Sequence, residues 1–372
     1  MKEVRYEDMR VDRALLGKYC EEIKRVLNSI KGLSDIDGLL MDFERRFSAY
    51  IGRRYCVAVN SGTDALHMSL IGAGVGAGDK VIIPAVTYPA VGYAVLYSGA
   101  EPVVVDVDLE RFSINVKSVE RALEEIPNIK AVIGVHMFGF PCDVYGILEL
   151  KKKYKFVFIE DVCQAESSCL DGKMLGSFGD LACFSFSYYK PISSCGGGGG
   201  AVCFDAPVYK GVYNLTEIWR DDDMLAMAGK RFAKMYLLDL ICVQMKFRYI
   251  DGILRSRILA AQWYQKALED IGVKYLKARA NEVVIMQNFP IIVDSSSSLI
   301  DFLEKRGVRP LHPYCPLSEM EVFKKYTPYP CPNAKRYYDT VVHLPLFSFI
   351  EREEVEFVVS FVEQYCGEKG LL

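Results

Sequence analysis

The sequence predicts an α/β protein, with a doubly wound, mainly parallel sheet followed by a smaller C-terminal α+β domain. Three observations carry this expectation. Short β-branched or aromatic runs recur through the first 205 residues, helical patterns separate the early ones, and the composition changes near Met235. The runs are Tyr55–Val59, Lys80–Ile83, Pro102–Val105, Lys130–Val135, Lys155–Ile159, Leu181–Phe186 and Ala201–Phe204. They are continuously apolar rather than alternating, which suits strands covered on both faces. Helical patterns at Asp64–Ile71, Pro89–Tyr97, Val116–Glu125 and Val144–Lys153 fill the early gaps. Strand–helix alternation of this kind winds a parallel sheet. The last links lack a full helix, so at least one late strand is expected to run antiparallel.

Beyond Met235 the pattern predicts a long helical stretch from Leu237 to Ile271, a strand at Asn288–Val293 and a helix closed by Gly307. A final helix is expected to start at a capping box, Ser348-Phe-Ile-Glu351. The expected division is a large domain over residues 1–240 and a small one over 241–372. The only low-complexity tract is Gly196–Gly200.

Composition narrows the function. Of 372 residues, 51% are hydrophobic, enough for a large core, so a disordered chain is excluded. Net charge is −3, which leaves no basic field for nucleic acid or an acidic membrane surface. The 12 Cys contain no C-x-x-C pair and read as buried thiols in a reducing cytoplasm. His67, His136, His312 and His343 show no metal-ligand spacing, so no metal is expected. The charged start is not a signal peptide. Val81 to Ala100 is uncharged over about twenty positions, the reach of a membrane helix. Pro84, Pro89, Gly92 and Gly99 interrupt it, so it reads as strand, turn and helix.

In an open α/β sheet, ligands gather beyond the carboxyl ends of the strands. Four such places stand out. Asn60-Ser61-Gly62-Thr63-Asp64 is a small, hydroxyl-rich turn opening a helix, either a phosphate seat or a plain N-cap by Ser61 or Thr63. Glu160-Asp161 ends a buried strand with two carboxylates, which need cationic or donor partners. Lys190 follows an apolar strand among aromatics, where an amine either gains nucleophilicity through a lowered pKa or snorkels to water. Thr87-Tyr88-Pro89 puts an aromatic at the sheet mouth, able to stack on a planar ring or to pack in the core. Gly72-Ala-Gly74-Val-Gly76-Ala-Gly78 imitates a dinucleotide loop but follows a helix and precedes a strand, the reverse of that fingerprint. Together, a phosphate seat, a buried carboxylate, an amine nucleophile and a stacking ring suit one cofactor, pyridoxal 5′-phosphate.

With these motifs in order, the chain resembles the DegT/DnrJ/StrS family of sugar aminotransferases, pyridoxal-phosphate enzymes of fold type I. The resemblance runs from about Gly32 to Val362. It rests on Ser61-Gly62-Thr63-x-Ala65-Leu66, Gly78-Asp79-Lys-Val-Ile, Thr87-Tyr88, Gly99-Ala100-x-Pro102, Val135-His136-x-x-Gly139, Glu160-Asp161-x-x-Gln164, Gly176-Ser-Phe-Gly179-Asp180 and Phe184-Ser185-Phe186 with Lys190. Gly307-Val308, His312, Pro316-Leu317 and Leu344-Pro345-Leu346 extend it. The resemblance implies that Lys190 forms the Schiff base, Asp161 pairs with the pyridine nitrogen and Gln164 sits near the ring hydroxyl. It places Tyr88 against the ring, Gly62, Thr63 and Ser185 on the phosphate, and His312 toward substrate. It further implies a homodimer carrying out ping-pong transamination from an amino acid, glutamate by analogy, to a keto group on a nucleotide-linked sugar. Competing readings are another ketone, such as an inosose or an aromatic-precursor keto acid, and a non-catalytic pyridoxal-phosphate-binding regulator. No basic helix-turn-helix segment supports the regulator. Three departures stand near the site: Phe232-Ala-Lys234-Met235 where many members read Asn-x-Arg-Met, the all-glycine run at Gly196–Gly200, and Tyr189 before the lysine.

Overall fold

The computed structural model describes residues 3–5, 10–196, 198–206, 212 and 233–370. Seven strands form the central sheet: β1 (Tyr55–Val59), β2 (Lys80–Pro84), β3 (Glu101–Val105), β4 (Ile129–Val135), β5 (Val157–Asp161), β6 (Leu181–Ser185) and β7 (Gly200–Phe204). Their order is β1-β7-β6-β5-β4-β2-β3. All neighbouring pairs are parallel except those of β7, which runs antiparallel to both β6 and β1. That is the reversed late strand expected from the short links. Because β7 is reversed, its first residue, Gly200, lies opposite Val59 and Ser185 at the carboxyl edge of its neighbours.

Alternate residues of one strand enter opposite cores. Val57 and Val59 join one apolar cluster with Val81, Ile83 and Ile133, while Cys56 and Ala58 join the other with Ile82, Val105 and Val132. The continuous apolar runs therefore feed two cores, one on each face. Helices α1 (Arg10–Ser29) and α2 (Leu33–Ile51) precede β1 and stand outside the alternation that predicts the sheet. Then come α3 (Gly62–Gly72), α4 (Ala90–Tyr97), α5 (Val116–Glu125) and α6 (Val144–Tyr154).

Strand β5 starts at Val157 rather than at the expected Lys155. Lys155 instead closes α6 in the left-handed region, at φ 53°, and its N–H returns to Lys151. The long helical stretch is two helices, α7 (Leu237–Arg248) and α8 (Ile250–Asp270), broken at Tyr249. A three-stranded antiparallel sheet follows, in the order β8 (Lys274–Tyr275), β9 (Phe289–Ile292) and β10 (Val341–Leu344). It is accompanied by α9 (Ser296–Glu304) and α10 (Arg352–Glu368). The capping box of α10 is formed by Glu351 and Glu354, not by Ser348 and Glu351. Ser348 is engaged elsewhere, its hydroxyl accepting from Arg257 Nε at 2.9 Å, and Phe349 takes φ 62°, outside helical geometry. Among the described residues no helix is long and apolar enough to cross a membrane; Val81–Ala100 supplies most of β2, a turn and α4.

Candidate active site

The turn after β1 is built for an anion. Ser61 is the N-cap of α3: its hydroxyl accepts from Asp64 N–H at 3.1 Å and its carbonyl accepts from Ala65 N–H at 2.9 Å. The N–H groups of Gly62 and Thr63 have no acceptor within the helix, and both residues line the cavity described below. They stand at the positive end of the helix dipole. Gly62 leaves no room for a side chain, since a Cβ there would sit 2.7 Å from Ser185 Cβ and 3.2 Å from Cys163 Sγ. The glycine run enters from the other side. Gly199 N–H donates to Asn60 O at 2.6 Å, and a Cβ on Gly200 would lie 2.6 Å from the Ser61 carbonyl. The run thus lets β7 press against the turn, which is why side chains are absent there.

The two carboxylates ending β5 separate by the period of the strand. Glu160 is fully buried and accepts from Phe178 and Gly179 N–H on one oxygen, and from Gly176 N–H and His136 Nε2 on the other. Cys142 N–H donates to His136 Nδ1, which assigns the proton to Nε2. Burial opposes the Glu160 charge, yet these donors and the nearby Arg53 hold its pKa below the usual glutamate value. Asp161 faces the other way, into the cavity, with Oδ1 accepting from Cys163 N–H at 3.0 Å. Burial raises its pKa, against the Cys163 donors and the charge of Lys190. So one carboxylate braces the loop at Gly176–Gly179, and its neighbour serves the site.

Lys190 lies beyond β6 and is buried. Its Nζ donates to the Cys163 carbonyl and to Gln287 Oε1, the latter at 2.9 Å. Burial pulls its pKa below the ordinary lysine value, opposed by the negative charge available on Glu166, Cys163 and Asp161. Glu166 is itself enclosed, and burial pushes its pKa well up. The cavity between these groups is ≈230 Å³ and is lined by Ser61, Gly62, Thr63, Tyr88, Asp161, Cys163, Gln164, Ser185, Lys190 and Tyr314. Gln164 Oε1 accepts from Phe138 N–H at 3.3 Å. Tyr88 stands at the rim, 55% exposed, edge-on to Tyr314 at 5.9 Å between centroids.

The structure therefore gathers Gly62, Thr63, Tyr88, Asp161, Gln164, Ser185 and Lys190 around one cavity. It does not bring His312 there: that ring is exposed and its Nε2 lies 3.2 Å from Glu304 Oε1. Tyr314, two residues on, takes the place at the rim. Sequence reasoning also missed Gln287, Glu166 and Arg257. The first had a signal, because Gln287-Asn288 interrupts the apolar run from Val283 to Ile292 just before β9. Of the departures, Lys234 is tied to Asp37 in an ion pair, and Phe232 lies outside the described residues. A larger hollow of ≈740 Å³ opens beside Arg111 and Asp143, away from Lys190. Its buried Arg111 is already paired with Glu282 at 2.9 Å, so the chemistry is placed in the smaller cavity.

These residues fit pyridoxal phosphate: a buried amine, a carboxylate facing the same cavity, and a glycine turn at a helix N-terminus where a Cβ would not fit. The sequence pattern of the DegT/DnrJ/EryC1/StrS aminotransferase family matches residues 19–363. The chain belongs to that family. It is 28% identical to dTDP-3-amino-3,6-dideoxy-alpha-D-galactopyranose transaminase of Aneurinibacillus thermoaerophilus, covering 95% of this chain and 98% of that one. It is 30% identical to UDP-N-acetyl-3-dehydro-alpha-D-glucosamine 3-aminotransferase of Acidithiobacillus ferrooxidans, covering 86% and 87%. Among solved structures, DesV of S. venezuelae in complex with a ketimine intermediate superposes with a TM-score of 0.89 at 26% identity, covering 98% and 99%. As a member of the DegT/DnrJ/EryC1/StrS family, the chain is a pyridoxal-phosphate-dependent aminotransferase.

Proposed function

We propose that this aminotransferase moves an amino group from an amino acid, glutamate by family analogy, to a keto group on a nucleotide-linked sugar in a ping-pong cycle. The observation that carries the reading is the convergence of Lys190, Asp161, Tyr88 and the Gly62–Thr63 turn on one cavity at the sheet edge. The relatives named above, which by name act on dTDP- and UDP-linked sugars, support the substrate class. Pyridoxal phosphate, when bound, supplies a carbonyl that condenses with amines and a ring that draws electron density from the substrate carbon. Lys190 Nζ would be the nucleophile that holds that carbonyl, and its amine would move a proton from and to the substrate carbon. Its burial favours the uncharged amine that both tasks need. Asp161 would hold the ring nitrogen's proton, and Gln164 would orient the ring hydroxyl. Gly62, Thr63 and Ser185 would bind the phosphate, and Tyr88 would stand against the ring. His312, exposed in the single chain, is assigned to substrate. Residues 1–240 form the large domain and 241–372 the small one. The chain works as a homodimer in the cytoplasm, a setting that its free thiols suit.

The test is turnover. The cofactor-loaded protein is incubated with glutamate and a panel of keto-sugar nucleotides, inososes and aromatic-precursor keto acids, and amine formation is followed by mass spectrometry. Amination of at least one keto-sugar nucleotide supports the reading; amination only of inososes or aromatic-precursor keto acids overturns the substrate class. Light scattering at twice the chain mass supports the dimer, and a monomer refutes it.

A further inference from the structure

Lys190 has two hydrogen-bond acceptors, and neither is charged. Its Nζ donates to the Cys163 carbonyl and to Gln287 Oε1 at 2.9 Å. Among the described residues no carboxylate lies within ion-pair distance of this amine; the charged and titratable groups facing it at longer range are Glu166, Asp161, Cys163 and Arg257, with the Tyr189 ring 5.1 Å from Nζ to its centroid. Two neutral acceptors fix two of the directions in which Nζ donates, whatever its charge. Carboxylates in the same places would favour the ammonium more strongly.

Gln287 is held for this task from behind. Arg257, fully buried in α8, donates through one nitrogen to the carbonyls of Met286 and Gln287, at 3.0 and 3.2 Å. A second nitrogen reaches the Tyr189 carbonyl, next to Lys190, at 3.4 Å. One guanidinium thus ties the main chain on both sides of the Lys190–Gln287 contact. Gln287 lies just before β9, nearly a hundred residues from the lysine, so the contact joins the α+β part of the chain to the amine.

We infer that Gln287 is a positioning residue: with the Cys163 carbonyl, its side-chain oxygen fixes the direction of the Lys190 amine without placing a charge beside it. The inference rests on the proposed role of Lys190. Gln287 itself touches no reacting atom, and its effect passes through Nζ.

The test reads amine linkage rather than turnover. Full-length protein stripped of cofactor is mixed with pyridoxal phosphate from pH 6 to 10, and the rate of appearance of the visible protein-linked band is recorded. For Gln287→Glu, a carboxylate beside Nζ stabilises the ammonium, and the pH profile is expected to move up by about 1–3 units. For Gln287→Met, of similar size with no oxygen, the ammonium loses an acceptor and the profile is expected to move down. Opposite shifts in the two variants support the inference, and a purely structural role would not produce them. Profiles that superimpose on the wild type overturn it, as do shifts in the same direction. If Gln287→Glu fails to fold, the downward shift of Gln287→Met decides alone. Should the wild type itself give no band, the role of Lys190 fails, which is a separate outcome.

Discussion

Glu160 and Asp161 are adjacent in sequence and opposite in task, so neutralising each should have opposite consequences. Glu160 receives four donors, two on each oxygen: Phe178 and Gly179 N–H on one, Gly176 N–H and His136 Nε2 on the other. A glutamine there offers one oxygen and one NH₂, so two donors meet another donor. His136 cannot relieve this by shifting its proton, because Nδ1 already accepts from Cys142 N–H. Each buried donor left without an acceptor costs about 1–3 kcal/mol, so Glu160→Gln should destabilise the fold by about 2–6 kcal/mol. Asp161→Asn is the reverse case. Its oxygen can keep the Cys163 N–H bond, and a charge whose burial is unfavourable disappears. The cofactor-free Asp161→Asn protein should therefore be at least as stable as the wild type. Its loaded form should lose turnover by at least about tenfold, the worth of one charge-assisted hydrogen bond.

The two groups also differ in pH dependence. Glu160 has a lowered folded pKa, so its contribution is present above about pH 4.5 and is lost as pH falls through the lower folded value. Asp161 has a raised folded pKa, so its unfavourable contribution grows as pH rises from about 3.8 through the folded value. Urea unfolding of the cofactor-free proteins, followed by fluorescence between pH 4 and 8, reads both. Equal destabilisation by the two substitutions, or a Glu160→Gln protein as stable as the wild type, would refute the assignment.

Other substitutions test the turn that seats the phosphate. Gly62→Ala forces a Cβ to 2.7 Å from Ser185 Cβ; the clash should cost about 1–3 kcal/mol and weaken pyridoxal phosphate binding about tenfold or more by equilibrium titration. Adding Ser185→Gly removes two of the three close atoms and should restore the lost stability. Gly200→Ala meets backbone instead, 2.6 Å from the Ser61 carbonyl and 2.7 Å from Phe184 O. It should cost at least about 2 kcal/mol in urea unfolding, and no single side-chain truncation should rescue it. Arg257, with its pKa drawn down to about 10 by burial, donates to main-chain carbonyls only through N–H groups that methionine lacks. Arg257→Met should lower stability and slow cofactor linkage together; loss of one without the other would contradict its place behind Gln287.

Much of the fold was legible because the central strands bury both faces. A strand feeding two cores reads as an unbroken apolar run, and β1, β4 and β6 stand within a residue of where those runs lie. Ends set by caps were harder to read. Lys155 looks like the start of β5, yet a left-handed φ makes it the stop of α6. Ser348 looks like a cap, yet its hydroxyl serves Arg257 across a long sequence separation. In the site, Lys190 and Asp161 announced themselves as polar residues at the ends of buried strands. Strand alternation by itself left open which of Glu160 and Asp161 faces the ligand, since it separates the two without saying which face is the cavity; only the family resemblance named Asp161. From beyond β7, Tyr314 reaches the cavity and Gln287 reaches Lys190 Nζ, and only tertiary contact shows that they do. His312 lies outside this cavity in the single chain, two residues before Tyr314 at its rim.

The linkage of pyridoxal phosphate to Lys190 can be read directly. Borohydride reduction of the loaded protein fixes any cofactor–lysine bond, and peptide mapping by mass spectrometry locates it. A single reduced adduct at Lys190, absent together with the visible band in Lys190→Ala, is the expected result. An adduct on another lysine, or a Lys190→Ala protein that keeps the band and full turnover, would contradict it.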